Sequence, residues 1–193
     1  MRAETDKSYS YSVWREPFGV AETPPEYVIH RPRLYLDTTI PSYLTAWTSR
    51  DLVTSRLQRI TTRWWNSWRT QFEIHVSDIV LREADAGDPQ AARRRLAVLE
   101  PFRMLESDGD SRALSARIIE KCGLPGRASV DAEHVALAAM NGMDFLLTWN
   151  YAHLVNPQIA SKIALVCRSE GYCCPTLCTP EQLMEKYEHV HPT

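Results

Sequence analysis

Residues 33–39 read RLYLDTT, and this short stretch decides the fold. Its apolar side chains predict a buried β-strand, which ends in the carboxylate of Asp37 and two hydroxyl residues. In open α/β sheets, ligand sites lie at the carboxyl ends of the strands. We therefore expect Asp37 to mark a functional site; the alternative is an aspartate that caps the following turn.

Strands and helices alternate along the rest of the chain. Apolar runs predict further strands, at residues 72–76, 102–105, 145–148 and 175–178. Helical spacing between start and stop signals predicts helices from residue 40 and at 52–69, 78–86, 90–99, 111–122, 129–141, 159–169 and from residue 179. Strands and helices that alternate form parallel sheets through right-handed crossovers. The predicted fold is an α/β, three-layer α/β/α sandwich with a mainly parallel sheet.

The chain of 193 residues is long enough for one sizeable domain with an appendage. Residues 1–32 lack sustained periodicity and are rich in proline, which predicts an extended or disordered N-terminal arm. The folded domain is predicted at residues 33–187, and residues 188–193 form a short tail.

Charge, hydropathy and cysteine content argue against a strongly basic nucleic-acid-binding protein, a membrane protein and a disulfide-rich protein. A net charge of −2 and a pI near 6.3 do not favour tight, nonspecific binding to nucleic acid. The sequence has neither a long apolar span nor a signal peptide, so we expect a soluble, cytoplasmic protein without membrane contact. Five cysteines are an odd number that fits reduced thiols. Four of them cluster late without a CxxC pair, which leaves a zinc site as a minor alternative.

Three acidic residues on separate elements are predicted to face inward. Asp37 ends the first strand, Glu83 shares a helix face with Val80, and Asp131 shares one with Val135. Each has a simpler explanation when taken alone: a turn cap, a surface ion pair and a favourable contact with the helix dipole, respectively. Together they predict one acidic site.

Polar residues after the predicted strand at 145–148 extend this site. Thr148 and Asn150 lie at the end of that strand, and parallel pairing brings this end to the same edge as Asp37. His134 lies on the same helix face as Asp131, although a buried core histidine is the simpler interpretation. We therefore expect the three acids and Asn150 to converge.

A cluster of carboxylates favours a divalent cation. Carboxylates at close range need a counterion, and Mg²⁺ and Mn²⁺ prefer oxygen ligands. Two such ions at a phosphodiester activate water and stabilise the leaving oxygen. Gly-rich phosphate loops, GxSxG elbows and HExxH motifs do not occur in the sequence. Metal-assisted phosphodiester hydrolysis is thus the predicted reaction class.

Four motifs occur in a fixed order: LYLDTT at 34–39, Glu83, DAEHVALA at 131–138 and LLTWN at 146–150. In order and spacing they resemble the motifs of PIN-domain nucleases, above all the VapC-type ribonuclease toxins of bacterial toxin-antitoxin pairs. The resemblance implies a Mg²⁺- or Mn²⁺-dependent endoribonuclease that cleaves RNA, is often a dimer and is held inactive by a cognate antitoxin. By position it also implies that Asp37, Glu83 and Asp131 bind the metal and that Thr39 supports Asp37.

One position departs from that pattern. Asn150 stands where many PIN domains have a fourth acid, and it offers a carbonyl oxygen without negative charge. The leading hypothesis is a metal-dependent ribonuclease in which Asn150 positions the water or a second ion. The alternatives are a catalytically weak or inactive PIN-fold module that binds nucleic acid or protein, and a small phosphate-ester hydrolase. Trp64, Trp65 and Trp68 further predict surplus apolar surface for a second subunit or an antitoxin segment.

Overall fold

The structure is a computed structural model that describes residues 31–125 and 128–190. The predicted N-terminal arm lies outside this range, apart from Arg31 and Pro32, and so do residues 191–193 of the predicted tail. The domain boundaries therefore stay a prediction.

A sheet of five parallel strands forms the centre of the described domain. The strands are β1 Arg33–Leu36, β2 Glu73–Ser77, β3 Arg103–Leu105, β4 Phe145–Leu147 and β5 Thr176–Cys178. Their order across the sheet is β3-β2-β1-β4-β5, so the strand that carries Asp37 at its end is the middle one. All neighbouring pairs are parallel, with Leu34 opposite Ile74 on one side and Phe145 on the other. The predicted parallel sheet is confirmed, and each predicted strand boundary is correct to within one residue.

Helices connect the strands. The α-helices are α1 Thr39–Thr45, α2 Leu52–Ser67, α3 Asp78–Asp85, α4 Pro89–Leu99, α5 Gly109–Cys122, α6 Ser129–Met140, α7 Pro157–Ser169 and α8 Pro180–Val190. The predicted helix at 52–69 ends two residues early because the chain tightens into a 3₁₀ turn, Arg69–Gln71, before β2. No helix in the described part of the chain has the length and apolar character needed to cross a lipid bilayer.

Side-chain caps decide where several helices begin. Asp108 caps α5 and Asn156 caps α7, and both helices start two residues before the position that periodicity predicts. Ser77 caps α3 as predicted, accepting the N–H of Val80 at 3.2 Å. Because α3 follows β2 directly, this cap fixes the start of the helix that carries Glu83.

Two groups of helices cover the sheet. Helix α5 packs against α6 and α7, whereas α1 packs against α2 and α4, α2 against α8, and α3 against α4. The core is formed by the central strands, where Leu34, Leu36, Leu146 and Leu147 are fully buried. This arrangement confirms the predicted three-layer α/β/α sandwich.

The aromatic end of α2 is packed and not exposed. Trp64 is fully buried, and the ring of Trp65 packs edge-on against Phe102 with centroids 5.8 Å apart. The exposed apolar side chains of this helix lie at its start instead, where Leu52 is 85% and Val53 68% exposed. The surplus apolar surface that the sequence placed at the tryptophans therefore lies at the opposite end of α2.

Candidate metal centre

The parallel sheet brings the predicted residues to one edge. Asp37 directly follows β1, the helix that carries Glu83 directly follows β2, and Thr148 directly follows β4. Since β2 and β4 are the parallel neighbours of β1, their carboxyl ends flank Asp37. The N–H of Asp37 donates to the carbonyl of Leu147 at 3.1 Å, so the backbone ladder between β1 and β4 extends into the site.

Asp37 is a buried carboxylate, 5% exposed. Its Oδ2 atom accepts a hydrogen bond from Thr39 Oγ1 at 2.8 Å and another from Thr148 Oγ1. Thr39 Oγ1 in turn accepts the N–H of Trp149 at 2.9 Å, which ties the loop after β4 to the first turn of α1. Oδ2 is thereby held by two hydroxyls, and the second oxygen, Oδ1, lies 3.8 Å from Nε2 of His134.

Glu83 reaches the same place from α3. Its Oε2 atom accepts a hydrogen bond from Thr38 Oγ1 at 2.5 Å and lies 3.0 Å from Nε2 of His134. Partial burial by itself raises the pKa of Glu83, but the hydrogen bonds with His134 and Thr38 outweigh burial and lower the pKa. Glu83 is therefore stabilised as a carboxylate.

His134 links the two carboxylates from α6, and it is 1% exposed. Its Nδ1 atom lies 2.7 Å from the hydroxyl of Tyr35, which lies 2.7 Å from Oγ of Ser77. Burial by itself lowers the pKa of His134, but the hydrogen bond with Glu83 and the negative charges of Asp37 and Glu83 outweigh burial and raise the pKa. The site thus balances two carboxylates with one imidazole.

Asp37, Glu83 and His134 each present one ligand atom, and these atoms all lie within 4.8 Å of one another. Among the residues that the structure describes, no second group of three His, Cys, Asp or Glu side chains does so, and the late cysteines form no such group. Carboxylate oxygens and an imidazole nitrogen form a donor set for a divalent cation. The residues present therefore fit the metal that the sequence predicts.

Asp131 was predicted to bind the cation and Asn150 to position the water or a second ion; in the structure both side chains contact His153. Oδ2 of Asp131 lies 2.8 Å from Nδ1 of His153, and Oδ1 of Asn150 accepts the backbone N–H of His153 at 3.1 Å. Asp131 lies outside the group of three, although its charge contributes to the raised pKa of His134 on the same helix. Asp131 and Asn150 therefore form a second cluster around His153.

The structure thus brings Asp37 and Glu83 together, places Thr39 and Thr148 on Asp37, and moves His134 from the margin to the centre of the site. Sequence reasoning missed three participants, namely Tyr35, Thr38 and His153. The hydroxyl of Thr38, beside Asp37 in the sequence, was an available signal. Tyr35 gave none, because it reads as an apolar strand residue and its contact with His134 spans 99 positions.

Comparisons with known proteins give similarities at the level of structure. No family model matches the chain, and no curated protein matches it significantly. Among solved structures, VapC20 of Mycobacterium tuberculosis, described as a toxin that cleaves the sarcin-ricin loop, is 17% identical with a TM-score of 0.47; the match covers 58% of this chain and 86% of that one. VapBC2 of Rickettsia felis, bound to a DNA fragment from its promoter, is 15% identical with a TM-score of 0.48; the match covers 76% of this chain and 97% of that one.

Proposed function

We propose that this chain is an endoribonuclease that hydrolyses phosphodiester bonds with Mg²⁺ or Mn²⁺ as its cofactor. The observation that carries the proposal is the meeting of Asp37, Glu83 and His134 at the carboxyl edge of a parallel sheet, with ligand atoms within 4.8 Å of one another. A buried carboxylate such as Asp37 is costly in free energy unless a positive partner balances it, and the more exposed Glu83 lies beside the same imidazole. A cation site would explain why the carboxylates of Asp37 and Glu83, which come from separate elements, lie close together there.

In this proposal, Asp37 and Glu83 hold the cation, and Asp131 is the third acid at the margin of the site. Thr39 and Thr148 keep Oδ2 of Asp37 in place. When bound, a divalent cation lowers the pKa of a coordinated water and stabilises negative charge on the phosphate oxygens.

We assign Asn150 a positioning role. Its N–H donates to Thr148 Oγ1 at 3.0 Å, and its side-chain carbonyl holds the N–H of His153. Asn150 therefore connects the hydroxyl that orients Asp37 to the turn that carries His153. Replacing Asn150 is expected to slow cleavage by disturbing both contacts, while the cation still binds.

The test of this activity is cleavage of end-labelled RNA by the purified chain in the presence of Mn²⁺. We expect cleavage by the wild-type chain and loss of cleavage in Glu83→Gln. The matched control is Asp85→Asn, because Asp85 is an exposed acid on the same helix. Absence of cleavage of every RNA offered, or equal activity in Glu83→Gln and wild type, would contradict the proposal.

The alternative, a module of the same fold that binds without hydrolysis, is favoured by one observation. Asp131 and Asn150 direct their side chains to His153, which leaves fewer groups for a second ion. Such a module would bind RNA in a filter assay and leave it intact at every Mn²⁺ concentration. Cleavage that depends on Mn²⁺ and on Asp37 excludes this alternative.

A toxin role is the second part of the proposal. The resemblance of the sequence motifs to VapC-type toxins supports a chain that arrests growth and a cognate antitoxin as its protein partner. Expression of the wild-type chain in bacteria is expected to stop growth, and the Asp37→Asn variant is expected not to. Co-expression of the product of an adjacent small gene is expected to restore growth. Equal growth of bacteria that express the wild-type chain and bacteria that express Asp37→Asn would contradict the toxin role.

A homodimer also belongs to this proposal. Its support is the exposed apolar start of α2 at Leu52 and Val53, in a soluble protein that would otherwise leave this surface in water. Light scattering is expected to give twice the chain mass of 22.1 kDa. A monomer mass at every concentration would rule the dimer out.

A further inference from the structure

We propose that His134 is a direct ligand of the catalytic cation through Nε2, so that the site prefers Mn²⁺ to Mg²⁺. This inference rests on the cation site of the proposed function. It goes beyond the sequence resemblance, which implies that only carboxylates bind the metal.

Nε2 of His134 already lies where a metal ligand would lie relative to Glu83. Ligands that lie about 2.1 Å from an octahedral ion lie about 3 Å from one another. Nε2 of His134 lies 3.0 Å from Oε2 of Glu83 and 3.8 Å from Oδ1 of Asp37. The imidazole nitrogen therefore already stands at the distance of a neighbouring ligand from Glu83, and a small side-chain movement brings Asp37 to the same distance.

Two hydroxyls, those of Tyr35 and Ser77, lie behind the imidazole ring of His134. A histidine that binds a metal through one nitrogen needs a partner that takes the N–H of the other. Tyr35 lies at Nδ1 and Ser77 lies at Tyr35, so Nδ1–H can donate to the tyrosine oxygen while the tyrosine O–H donates to Ser77. With Nδ1 as the donor to Tyr35, Nε2 can offer its lone pair to a cation in place of its hydrogen bond with Glu83.

Asp131, the other candidate ligand on α6, is already paired with a histidine. The sequence assigns the ligand from α6 to Asp131, but its Oδ2 atom pairs with Nδ1 of His153. His134 follows Asp131 by three residues on the same helix, and its ring reaches Glu83. Helix α6 therefore supplies a ligand from the next turn.

An imidazole ligand changes which ions the site prefers. Mg²⁺ prefers oxygen ligands and keeps several waters, whereas the affinity of nitrogen-containing sites rises along the series of transition metals. Replacing His134 by glutamine exchanges the nitrogen for an amide at similar length. Loss of an outer partner of a metal ligand already weakens binding about 10- to 100-fold. We expect His134→Gln to lose at least about tenfold in Mn²⁺ affinity and much less in Mg²⁺ affinity.

The decisive experiment is pulsed electron paramagnetic resonance on the full chain loaded with Mn²⁺, without RNA. Nitrogen bound to Mn²⁺ gives a ¹⁴N modulation, and ¹⁵N-histidine labelling of the wild-type chain identifies it as imidazole. We expect the ¹⁴N signal in wild type, its loss in His134→Gln and its retention in His153→Gln. The His153 variant is a matched control, because it makes the same change at the neighbouring histidine. Tyr35→Phe is expected to keep the signal and to weaken Mn²⁺ binding about tenfold.

The labelling of the wild-type chain keeps the test valid even if His134→Gln folds poorly. Bound Mn²⁺ without a nitrogen signal would overturn this inference and leave the proposed ribonuclease intact. The same holds for a signal that disappears in His153→Gln and persists in His134→Gln. No Mn²⁺ binding at all would overturn both. A nitrogen signal in a chain that cleaves no RNA would support His134 as a ligand and refute the ribonuclease.

Discussion

Removal of the Tyr35 hydroxyl is the most informative change in the buried network behind the site. Tyr35 is fully buried, and its hydroxyl lies 2.7 Å from both Ser77 Oγ and His134 Nδ1. Each buried polar group left without a partner costs about 1–3 kcal/mol. Ser77 still accepts the N–H of Val80 and loses less than His134 does. We therefore expect Tyr35→Phe to lower the free energy of unfolding of the metal-free protein by about 2–4 kcal/mol.

Thermal and urea denaturation measure this loss. In a domain of this size, each kcal/mol lowers Tm by about 2–4 °C, so the expected decrease is about 5–15 °C. Tyr43→Phe is the matched control, since Tyr43 is a half-buried tyrosine on α1 that packs against Trp149; we expect a change within about 0.5 kcal/mol. A double-mutant cycle with His134→Leu is expected to show a coupling of about 0.5–3 kcal/mol. Equal stability of Tyr35→Phe and wild type, or no coupling, would refute the network.

Three further predictions concern the site. The pKa of His134 is higher in the folded protein than its unfolded value of about 6.5. Protonated His134 therefore stabilises the metal-free protein fully below about pH 6.5, and this stabilisation is lost as pH rises through the folded-state pKa. The stability gap between wild type and His134→Gln in urea should therefore narrow as pH rises above about 6.5; a gap that widens contradicts the assignment. Thr39→Val removes the 2.8 Å bond to Asp37 and the acceptor for Trp149, and calorimetry should show Mn²⁺ affinity reduced about 10- to 100-fold. Mn²⁺ at 100 times its Kd should stabilise wild type by about 2.7 kcal/mol and Asp37→Asn by almost nothing, as Tm with and without EDTA will show.

The fold followed from the sequence because its signals are local. Apolar runs of three to five residues, separated by helices with clear caps, admit few arrangements other than a parallel sheet. Helix starts differed where a capping side chain, such as Asp108 or Asn156, lay ahead of the periodic residues. The sequence predicted that the tryptophans lie on α2. It could not predict that Trp65 packs against Phe102, because Phe102 is distant in the sequence.

The site was predictable in part. Asp37 and Glu83 stand out because a carboxylate on an apolar strand end or helix face requires a partner. The choice between Asp131 and His134 could not be made from spacing, since both lie on one face of α6 and three residues apart. That choice depends on His153 and Tyr35, which reach the two side chains from other elements. Contacts of this kind are fixed by tertiary packing and leave no periodic pattern in the sequence.

The most direct test of the central claim is the metal dependence of RNA cleavage at Asp37. The purified chain is stripped with EDTA, dialysed and mixed with labelled single-stranded RNA before and after addition of Mn²⁺, in parallel with Asp37→Asn. We predict no cleavage by the stripped chain, cleavage by wild type after Mn²⁺ is added, and none by Asp37→Asn at any Mn²⁺ concentration. Cleavage that persists in EDTA, or equal cleavage by Asp37→Asn, would contradict a catalytic cation at the end of the central strand.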